Sequence, residues 1–255
     1  MRLPHKLVAA TSFAAILAAV ALPVPASALD DTQKREIGAF IKEYLIENPE
    51  IMLDVQDALQ QKQASARAQV AQKAVAENQD TIFSSKFDLS LGNPNGDVTI
   101  VEFFDYNCGY CKHALADMDT ILAKDKNVRF VLKEFPILGP ESLAAHKVSD
   151  AFRKIAPEKY GEFHRALLGT EGRANEESAI AVATSLGVSE ADIRKTMEEN
   201  PNDEAVQEAY QLANSLGISG TPSYVMGNEA IFGAVGADSI EEKITNMRSC
   251  GKTSC

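Results

Sequence analysis

The sequence predicts an α/β fold preceded by a helical arm, and three observations support this prediction. Val98 to Phe104 and Val128 to Phe135 are short apolar runs, rich in β-branched and aromatic residues, as in buried strands. Lys112 to Lys124, between them, carries apolar residues at helical spacing, and turn residues fill Leu91 to Asp97 before them. Residues 30 to 79 have a helical pattern throughout. Strand, helix and strand in this order predict a βαβ unit with parallel pairing and a right-handed crossover.

The first 28 residues have the pattern of a cleavable signal peptide. A basic region from Arg2 to Lys6 precedes an apolar run from Leu7 to about Leu22, and Ala26-Ser27-Ala28 supplies the small residues that a signal peptidase requires. We therefore expect export to the periplasm with cleavage after Ala28; an uncleaved membrane anchor is the alternative. No later window of about 18 apolar residues predicts a membrane span in the mature chain.

The composition argues against nucleic acid as a partner. The chain has 255 residues and a formal net charge of −11, and loss of Arg2 and Lys6 with the signal makes that charge −13. An acidic chain without a concentrated basic stripe binds polyanions poorly. The length allows one good core and an accessory element.

The accessory element is predicted to be a helical arm over residues 29 to 79. Its apolar residues recur at helical spacing on both sides of Asn48-Pro49, and the pattern thins from Gln60 onward. A stripe on a thin arm cannot bury itself. It could fold back on the main domain, but we favour pairing with the same arm of another subunit, which makes the chain a homo-oligomer through residues 30 to 79. The stripe consists of Ile37, Phe40, Ile41, Tyr44, Leu45, Ile51, Met52, Val55, Ala58 and Leu59.

The main domain is predicted to span residues 80 to 255 and to contain a helical insertion. Glu141 to Leu216 has an almost continuous helical pattern, which places several helices, at about residues 141 to 216, before the last strands. Two short strand patterns within Ser223 to Gly233 predict a hairpin, and Asp238 to Arg248 predicts a closing helix.

Four cysteines form two close pairs, and one pair carries the chemistry. Cys108 and Cys111 lie between a predicted strand and a predicted helix. The first turn of a helix offers unpaired N–H groups and partial positive charge, so the pKa of Cys108 should be lowered. Its thiolate would attack a disulfide to form a mixed disulfide, which Cys111 then resolves. In an exported protein, cysteines are expected to be disulfide partners before they are zinc ligands.

The alternatives for these cysteines are a zinc site or an inert disulfide. A zinc ribbon needs a second pair at similar spacing, and Cys250 and Cys255, with four residues between them, match poorly. His113 could be offered as a third ligand, but its ordinary interpretation is an exposed helix residue. We predict no metal site and a local structural disulfide between Cys250 and Cys255, with copper binding by free thiols as the alternative. The remaining helical histidines, His146 and His164, are interpreted as surface or core-edge residues.

Several motifs resemble a known family. Val101 to Cys111 (VEFFDYNCGYC) resembles the active-site strand and helix start of DsbA-like proteins, and the match extends through Lys133 to Pro140 and Gly220-Thr221-Pro222. It covers about residues 82 to 248. Ile46 to Glu50 in the arm resembles the oligomerisation segment of ScsC-type suppressor-of-copper-sensitivity proteins. The resemblance implies a thioredoxin fold with an inserted helical domain, and a thiol–disulfide oxidoreductase whose redox-active centre is its own cysteine pair.

The resemblance also implies roles for residues around the cysteines. Glu102 stands where the family has an acidic residue beneath the active site, and it would exchange protons with Cys111; an outward-facing edge glutamate is the alternative. Thr221-Pro222 matches the loop whose cis-proline lies opposite the cysteines. That loop, with Gly109-Tyr110, would bind an extended substrate chain.

Two departures from the strong oxidases of the family favour a different activity. Those enzymes resemble Cys-Pro-His-Cys, whose histidine stabilises the thiolate, whereas Gly109-Tyr110 supplies no positive charge. Thr221 before the proline also resembles the dimeric isomerases. We therefore predict an isomerase or reductase that acts on exported proteins and works with a membrane redox partner. A net dithiol oxidase and a copper-binding or copper-tolerance protein are the alternatives.

Overall fold

The computed structural model describes residues 29–255, and within them five strands form one mixed sheet. The predicted signal peptide lies outside these residues. The strand order is β1-β3-β2-β4-β5, in which β2 and β3 are parallel and every other neighbouring pair is antiparallel. The strands are β1 (Leu89–Gly92), β2 (Val98–Phe104), β3 (Val128–Glu134), β4 (Ser223–Met226) and β5 (Glu229–Phe232).

The helices of the same residues precede, connect and interrupt this sheet. They are α1 (Asp31–Glu47), α2 (Ile51–Glu77), α3 (Gln79–Phe83), α4 (Gly109–Lys124), α5 (Pro140–Ile155), α6 (Tyr160–Leu168), α7 (Glu176–Ser185), α8 (Glu190–Glu199), α9 (Asp203–Leu216) and α10 (Ala237–Cys250), with a 3-10 turn at Pro157–Lys159. Helices α5 to α9 are inserted between β3 and β4, as predicted. None of the helices in residues 29–255 combines the length and apolar character needed to cross a membrane.

The parallel β2–α4–β3 unit and the β4–β5 hairpin confirm two sequence predictions. Val98 pairs with Val128 and Phe104 with Glu134 along the parallel ladder. Helix α4 begins at Gly109, three residues before the predicted start, because the cysteine turn itself forms its first turn. Strand β1 was not predicted, since its four residues run into the turn-rich segment; it pairs antiparallel with β3 at the edge of the sheet.

The chain divides into two compact units between Asp57 and Ala58. In the first, the Asp30 carboxylate accepts hydrogen bonds from the Thr32 and Gln33 N–H groups, and the Gln33 side chain accepts one from the Asp30 N–H, so α1 begins with a capping box. Helix α1 ends at Glu47, before Pro49, which disfavours helix in the residue before it. No residue of α1 is buried.

The second unit buries both faces of the sheet. Side chains alternate along β2, so Ile100 and Phe104 join one core cluster with α4, α5, α6 and α10, while Val101 and Phe103 join the other. This second cluster also contains Ala71, Ala74, Val75 and Ile82. The predicted boundary at residue 79 therefore needs correction: the last turns of α2 are part of the core of the main domain. Small apolar residues among Gln, Lys and Glu gave too weak a stripe to reveal this.

Candidate active site

Cys108 occupies the N-cap position of α4, directly after the strand at the centre of the sheet. Its backbone is extended (φ −81°, ψ 113°), and its Sγ accepts a hydrogen bond from the Cys111 N–H over 3.4 Å. The Cys108 N–H donates to the Asp105 carbonyl oxygen at 3.0 Å, which closes the turn between β2 and α4. Cys108 and Cys111 are both buried and carry free thiols. The predicted nucleophile therefore lies where the unpaired N–H groups of a helix point at its sulfur.

The loop before β4 lies against this sulfur. The peptide bond between Thr221 and Pro222 is cis, and the Cys108 thiol donates to the Thr221 carbonyl oxygen at 3.1 Å. Ser223, the first residue of β4, pairs with Phe103 near the end of β2. The antiparallel β2–β4 pairing thus brings the predicted loop to the predicted cysteine.

The pKa values of the two thiols are shifted in opposite directions by their surroundings. Hydrogen bonds lower the pKa of Cys108 from its ordinary 9.0 to about 6, against the opposing effect of burial. The largest contribution is the hydrogen bond from the Cys111 side chain, and the others come from the Thr221 side chain and the Cys111 and Tyr110 N–H groups. The pKa of Cys111 is raised, because its thiol donates to the Cys108 sulfur and is buried. At neutral pH Cys108 is the thiolate and Cys111 holds its proton.

Glu102 lies on the cysteine side of the central strand. Its side chain is 3% exposed, and its register partners are Leu132 on β3 and Tyr224 on β4. It shares the sheet face of Ile100 and Phe104, so the alternative of an outward-facing edge glutamate is wrong: β2 has a neighbour on each side. Burial, followed by the negative charge of Cys108, raises the pKa of Glu102 from 4.5 to about 8.

The residues between the cysteines face solvent. Tyr110 is 70% exposed, and a Cβ added to Gly109 would meet no atom within 4 Å. Phe232, also exposed, pairs with Ser223 in the hairpin, and the next residue donates its N–H to the Pro222 carbonyl oxygen. Tyr110 and Phe232 are therefore exposed aromatic residues next in the chain or in the sheet to the cysteine turn and the Pro222 loop.

Sequence reasoning missed a buried polar network beside this site. The Glu134 carboxylate, at the end of β3, receives hydrogen bonds from Ser149 (2.5 Å) and Tyr160 (2.9 Å), and it contacts His146 Nδ1 at 2.9 Å. Tyr106 joins the network through Ser149, with 2.9 Å between their hydroxyl oxygens. The network therefore joins the active-site turn to the inserted helices. A polar stripe on α5 at helical spacing was the available signal.

The positions of His146 and His164 differ from the prediction made from the sequence. His146 and His164 were expected at the surface or the core edge, but both are buried and pack against the rings of Phe104 and Tyr106. Burial lowers the pKa of His164 to about 3, so its ring is neutral. Both histidines lie on the apolar side of amphipathic helices. Because histidine is a polar residue type, the pattern alone did not indicate their burial.

An ion-pair network and a disulfide lie at the end of the second unit opposite the cysteine turn. Arg248, near the end of α10, contacts Asp97 at 2.6 Å and Asp125 at 2.6 Å, which lie before β2 and after α4. The structure joins Cys250 and Cys255 in a disulfide two residues further along. Because Cys108 follows the other end of β2, this disulfide lies far from Cys108 and Cys111.

The residues that could hold a metal ion are the two free thiols and His113. His113 is exposed on α4, and no group of three or more His, Cys, Asp or Glu side chains within residues 29–255 has the arrangement of a metal site. The Cys108–Cys111 pair remains the only close pair of free thiols in that part of the chain. Cysteine sulfurs are soft ligands of the kind that select Cu(I).

Family comparisons agree with this architecture. Residues 99–245 match the family described as DSBA-like thioredoxin domain, and residues 33–66 match the Copper resistance protein ScsC N-terminal domain.

Solved structures with the same fold come from several bacteria. A thioredoxin-like oxidoreductase from Silicibacter pomeroyi DSS-3 is 37% identical, with a TM-score of 0.64, over 68% of this chain and 99% of its own. The thiol-disulfide exchange protein α-DsbA2 from Wolbachia pipientis is 28% identical, with a TM-score of 0.66, over 71% of this chain and 98% of its own. Proteus mirabilis ScsC in a transitional conformation is 28% identical, with a TM-score of 0.59, over 84% of this chain and 95% of its own.

Two curated proteins also share sequence with this chain. Disulfide bond formation protein D from Bacillus subtilis is 27% identical over 164 residues, which cover 60% of this chain and 74% of that protein. Na(+)/H(+) antiporter NhaA 1 from Salinispora arenicola is 21% identical over 159 residues, which cover 62% of this chain and 24% of that protein. The matched segment thus represents about a quarter of the antiporter.

Proposed function

Because this chain belongs to the DSBA-like thioredoxin domain family and carries an ScsC N-terminal domain, we propose that it is a periplasmic, homo-oligomeric disulfide isomerase or reductase. The family supports thiol–disulfide exchange as its reaction. The main support for this proposal is that α1, a helix of the arm with no buried residue, presents an apolar stripe to solvent.

The exposed stripe argues for a partner surface. Phe40 is 65% exposed, and Ile37, Ile41 and Tyr44 on the same helix are 42 to 50% exposed. Contiguous apolar surface of this kind marks an interaction site in a protein that must stay dissolved. A second copy of the same arm is the simplest partner, since identical stripes are self-complementary in a symmetric assembly. Relatives named ScsC match along the arm as well as the main domain.

The chemistry at Cys108 fits attack on an existing disulfide. In the reduced protein the Cys108 thiolate attacks one sulfur of the substrate; the substrate S–S bond breaks, a Cys108–substrate bond forms, and the other substrate sulfur leaves as a thiolate. That released thiolate can attack a different disulfide of the same substrate. A second attack on the mixed disulfide then regenerates the Cys108 thiolate, and the substrate is isomerised with no net oxidation.

Cys111 offers the exit when rearrangement stalls. Its thiol loses a proton and attacks Cys108, which releases the reduced substrate and leaves a Cys108–Cys111 disulfide; two electrons pass to the substrate. We propose that Glu102 exchanges that proton, since its raised pKa places its titration near neutral pH. A membrane redox partner would then reduce the disulfide. The substrates would be exported proteins, whose unfolded segments can bind along Thr221, Pro222, Gly109 and Tyr110.

Refolding of scrambled ribonuclease tests this proposal. The wild type, Phe40→Glu and Lys42→Glu are compared, because Lys42→Glu makes the larger change in charge on the same helix but lies outside the stripe. We expect the wild type and Lys42→Glu to be oligomers that restore activity, and Phe40→Glu to be a monomer that does not. Sedimentation measures the oligomeric state. Deletion of residues 29–57 should act like Phe40→Glu, whereas a longer deletion would remove core residues of the second unit.

A net oxidase is the second candidate, favoured by the similarity to Disulfide bond formation protein D. In that case none of the variants would recover scrambled substrate, and all would rapidly oxidise a reduced peptide. Stoichiometric binding of Cu(I) by the reduced protein, without turnover of either substrate, would support the copper-binding alternative instead.

A further inference from the structure

Asn107, the residue before Cys108, binds the inserted helical region through its side chain. Its Oδ1 accepts the Ala174 N–H at 2.7 Å, and its Nδ2 donates to the Ala174 carbonyl oxygen at 2.9 Å. The same Nδ2 donates to Ser142 Oγ at 3.0 Å. An amide side chain is required for this two-way pairing, because it offers an acceptor and donors in one plane. The side chain therefore pairs with Ala174 as a backbone peptide group would, and it joins the active-site turn to the insertion.

The segment that Asn107 holds is tied to the active site at two further points. Lys112, in the first turn of α4, donates to the Thr170 carbonyl oxygen at 2.6 Å. Arg173 donates to the Leu138 carbonyl oxygen at 3.1 Å, in the loop after β3. Residues 170–174 thus form a strap across the turn that carries the nucleophile. Asn107 provides the contact nearest to Cys108 in the chain.

The strap matters because the hydrogen bond that the Cys111 N–H donates to the Cys108 sulfur leaves little room for displacement. The Cys111 N–H reaches Sγ over 3.4 Å, and the Thr221 carbonyl oxygen lies at 3.1 Å from the other side. A small rotation of the peptide before Cys108 would lengthen the contact from the Cys111 N–H, which stabilises the thiolate. A displacement of about 1 Å can change a rate by about a hundredfold when a reacting atom depends on its position.

We propose that Asn107 is a positioning residue for thiol–disulfide exchange, which fixes the backbone of Cys108 to the strap of residues 170–174 and so keeps its sulfur between the first turn of α4 and the Thr221 carbonyl oxygen. The inference rests on exchange at Cys108 alone, so it holds for an isomerase and for an oxidase. It also gives the inserted helices a part in the reaction, since a shift of the strap shifts the nucleophile.

A matched pair of asparagine variants separates positioning from stability. Asn107→Ala removes all three side-chain hydrogen bonds and leaves the buried Ala174 peptide groups without them. Asn175→Ala, one residue from Ala174, removes the capping box that Asn175 forms with Ser178 at the start of α7. Both variants should lower the thermal midpoint, but only the first alters contacts of the residue before Cys108.

The measurement is the rate of iodoacetamide alkylation of Cys108 in the reduced full chain as a function of pH. We expect the midpoint of the profile to rise by about one pH unit in Asn107→Ala, equivalent to about tenfold less thiolate below both midpoints. In Asn175→Ala it should stay at the wild-type value. Equal thermal losses with unchanged midpoints in both variants would overturn the proposal.

A milder variant keeps the test decisive if Asn107→Ala does not fold. Ser142→Ala removes one hydroxyl that accepts from Asn107 and donates to Asp105 at 2.8 Å, and it should shift the midpoint in the same direction by a smaller amount. An unchanged midpoint in this variant would also count against the proposal. Alkylation needs no protein substrate, so these outcomes do not depend on whether the chain isomerises ribonuclease.

Discussion

The Cys108 thiol lies 3.1 Å from the carbonyl oxygen of Thr221, although 113 residues separate them in the chain. Strand β2 ends just before the cysteine turn, and β4 begins just after the cis Pro222. Phe103 and Ser223 are paired in the antiparallel β2–β4 ladder, so the two loops meet at one edge of the sheet. A shift of one residue in this register would reverse the faces of β4 and take Thr221 away from the sulfur.

The protonation of Cys108 should depend on a donor at position 111. The Cys111 side chain makes the largest contribution to lowering the pKa of Cys108 to about 6. Iodoacetamide alkylation of Cys108 in the reduced wild type should therefore rise through a midpoint near pH 6 and level off above it. Cys111→Ala should move this midpoint upward, whereas Cys111→Ser, which keeps a hydrogen-bond donor, should move it less.

The two variants also provide each other's control. Both leave Cys108 as the only thiol of the active site, so loss of intramolecular disulfide formation is the same in each. Equal midpoints in Cys111→Ala and Cys111→Ser would show that a hydrogen-bond donor in the side chain at position 111 does not lower the pKa of Cys108. A wild-type midpoint near 9 would contradict the lowered pKa itself.

Much of the central unit could be predicted from the sequence, because its signals are local. The run Val98 to Phe104 is a continuous apolar strand, and its predicted bounds agree with the structure. The cysteine turn and the helix after it follow from residue type and periodicity. The cis Thr221-Pro222 loop came from the family resemblance, since nothing in its local pattern distinguishes a cis from a trans bond.

The remaining features depend on contacts that no local pattern records. Asn107 gives no sign in the sequence that it reaches Ala174, 67 residues away. Lys133 is a single charge in a β-rich run, yet its ammonium group is buried with Asp88 from the β1 side of the sheet. The last turns of α2 look like solvated arm, and only the docking of Ala71 and Val75 on the sheet shows otherwise.

Replacement of Glu102 should change how stability depends on pH. The folded protein holds the Glu102 proton up to a pKa of about 8, whereas the unfolded chain releases it near 4.5. The free energy of unfolding of the wild type therefore falls as pH rises between these values, and Glu102→Gln lacks this loss. The difference between the two proteins should shift in favour of the variant by on the order of 3 kcal/mol between pH 4.5 and 7.

Urea unfolding of the reduced proteins at several pH values measures this difference. Glu242→Gln, at an exposed position of α10, is the control and should follow the wild type at every pH. A constant difference between wild type and Glu102→Gln would mean that the carboxyl titrates alike in both states. If Glu102 also exchanges protons with Cys111, release of a mixed disulfide should be slower in Glu102→Gln.

The buried Lys133 should stabilise the protein only while its partner is ionised. Lys133 Nζ lies 2.5 Å from Asp88 Oδ2 and 3.8 Å from Glu208. Burial, partly offset by Lys133, raises the pKa of Asp88 to about 6. Lys133→Met would leave the Asp88 carboxylate without its partner at pH 8, and we expect a loss of about 3 to 5 kcal/mol there. At pH 5 Asp88 is protonated in the folded protein, so the loss should be smaller.

The double variant Lys133→Met with Asp88→Asn tests the cause. Removal of both charges avoids an unpaired buried ion, so this protein should be more stable at pH 8 than Lys133→Met alone. Thermal unfolding at pH 5 and pH 8 compares the three proteins. A loss in Lys133→Met that is the same at both pH values would show that packing of the lysine stem, not its charge, supports the fold.

The Cys250–Cys255 disulfide should contribute to local stability and not to exchange. It closes a loop of six residues at the end of α10, and the loop is also held by a hydrogen bond from Asn246 to the Thr253 carbonyl oxygen. A loop this short restricts the unfolded chain modestly, so Cys250→Ser with Cys255→Ser should reduce the free energy of unfolding by about 2 kcal/mol at most. Because Arg248 anchors α10 to Asp97 and Asp125 at the end opposite Cys108, the alkylation midpoint and exchange rate should match the wild type. A slower exchange in this double variant would instead show that the C-terminal pair takes part in electron transfer.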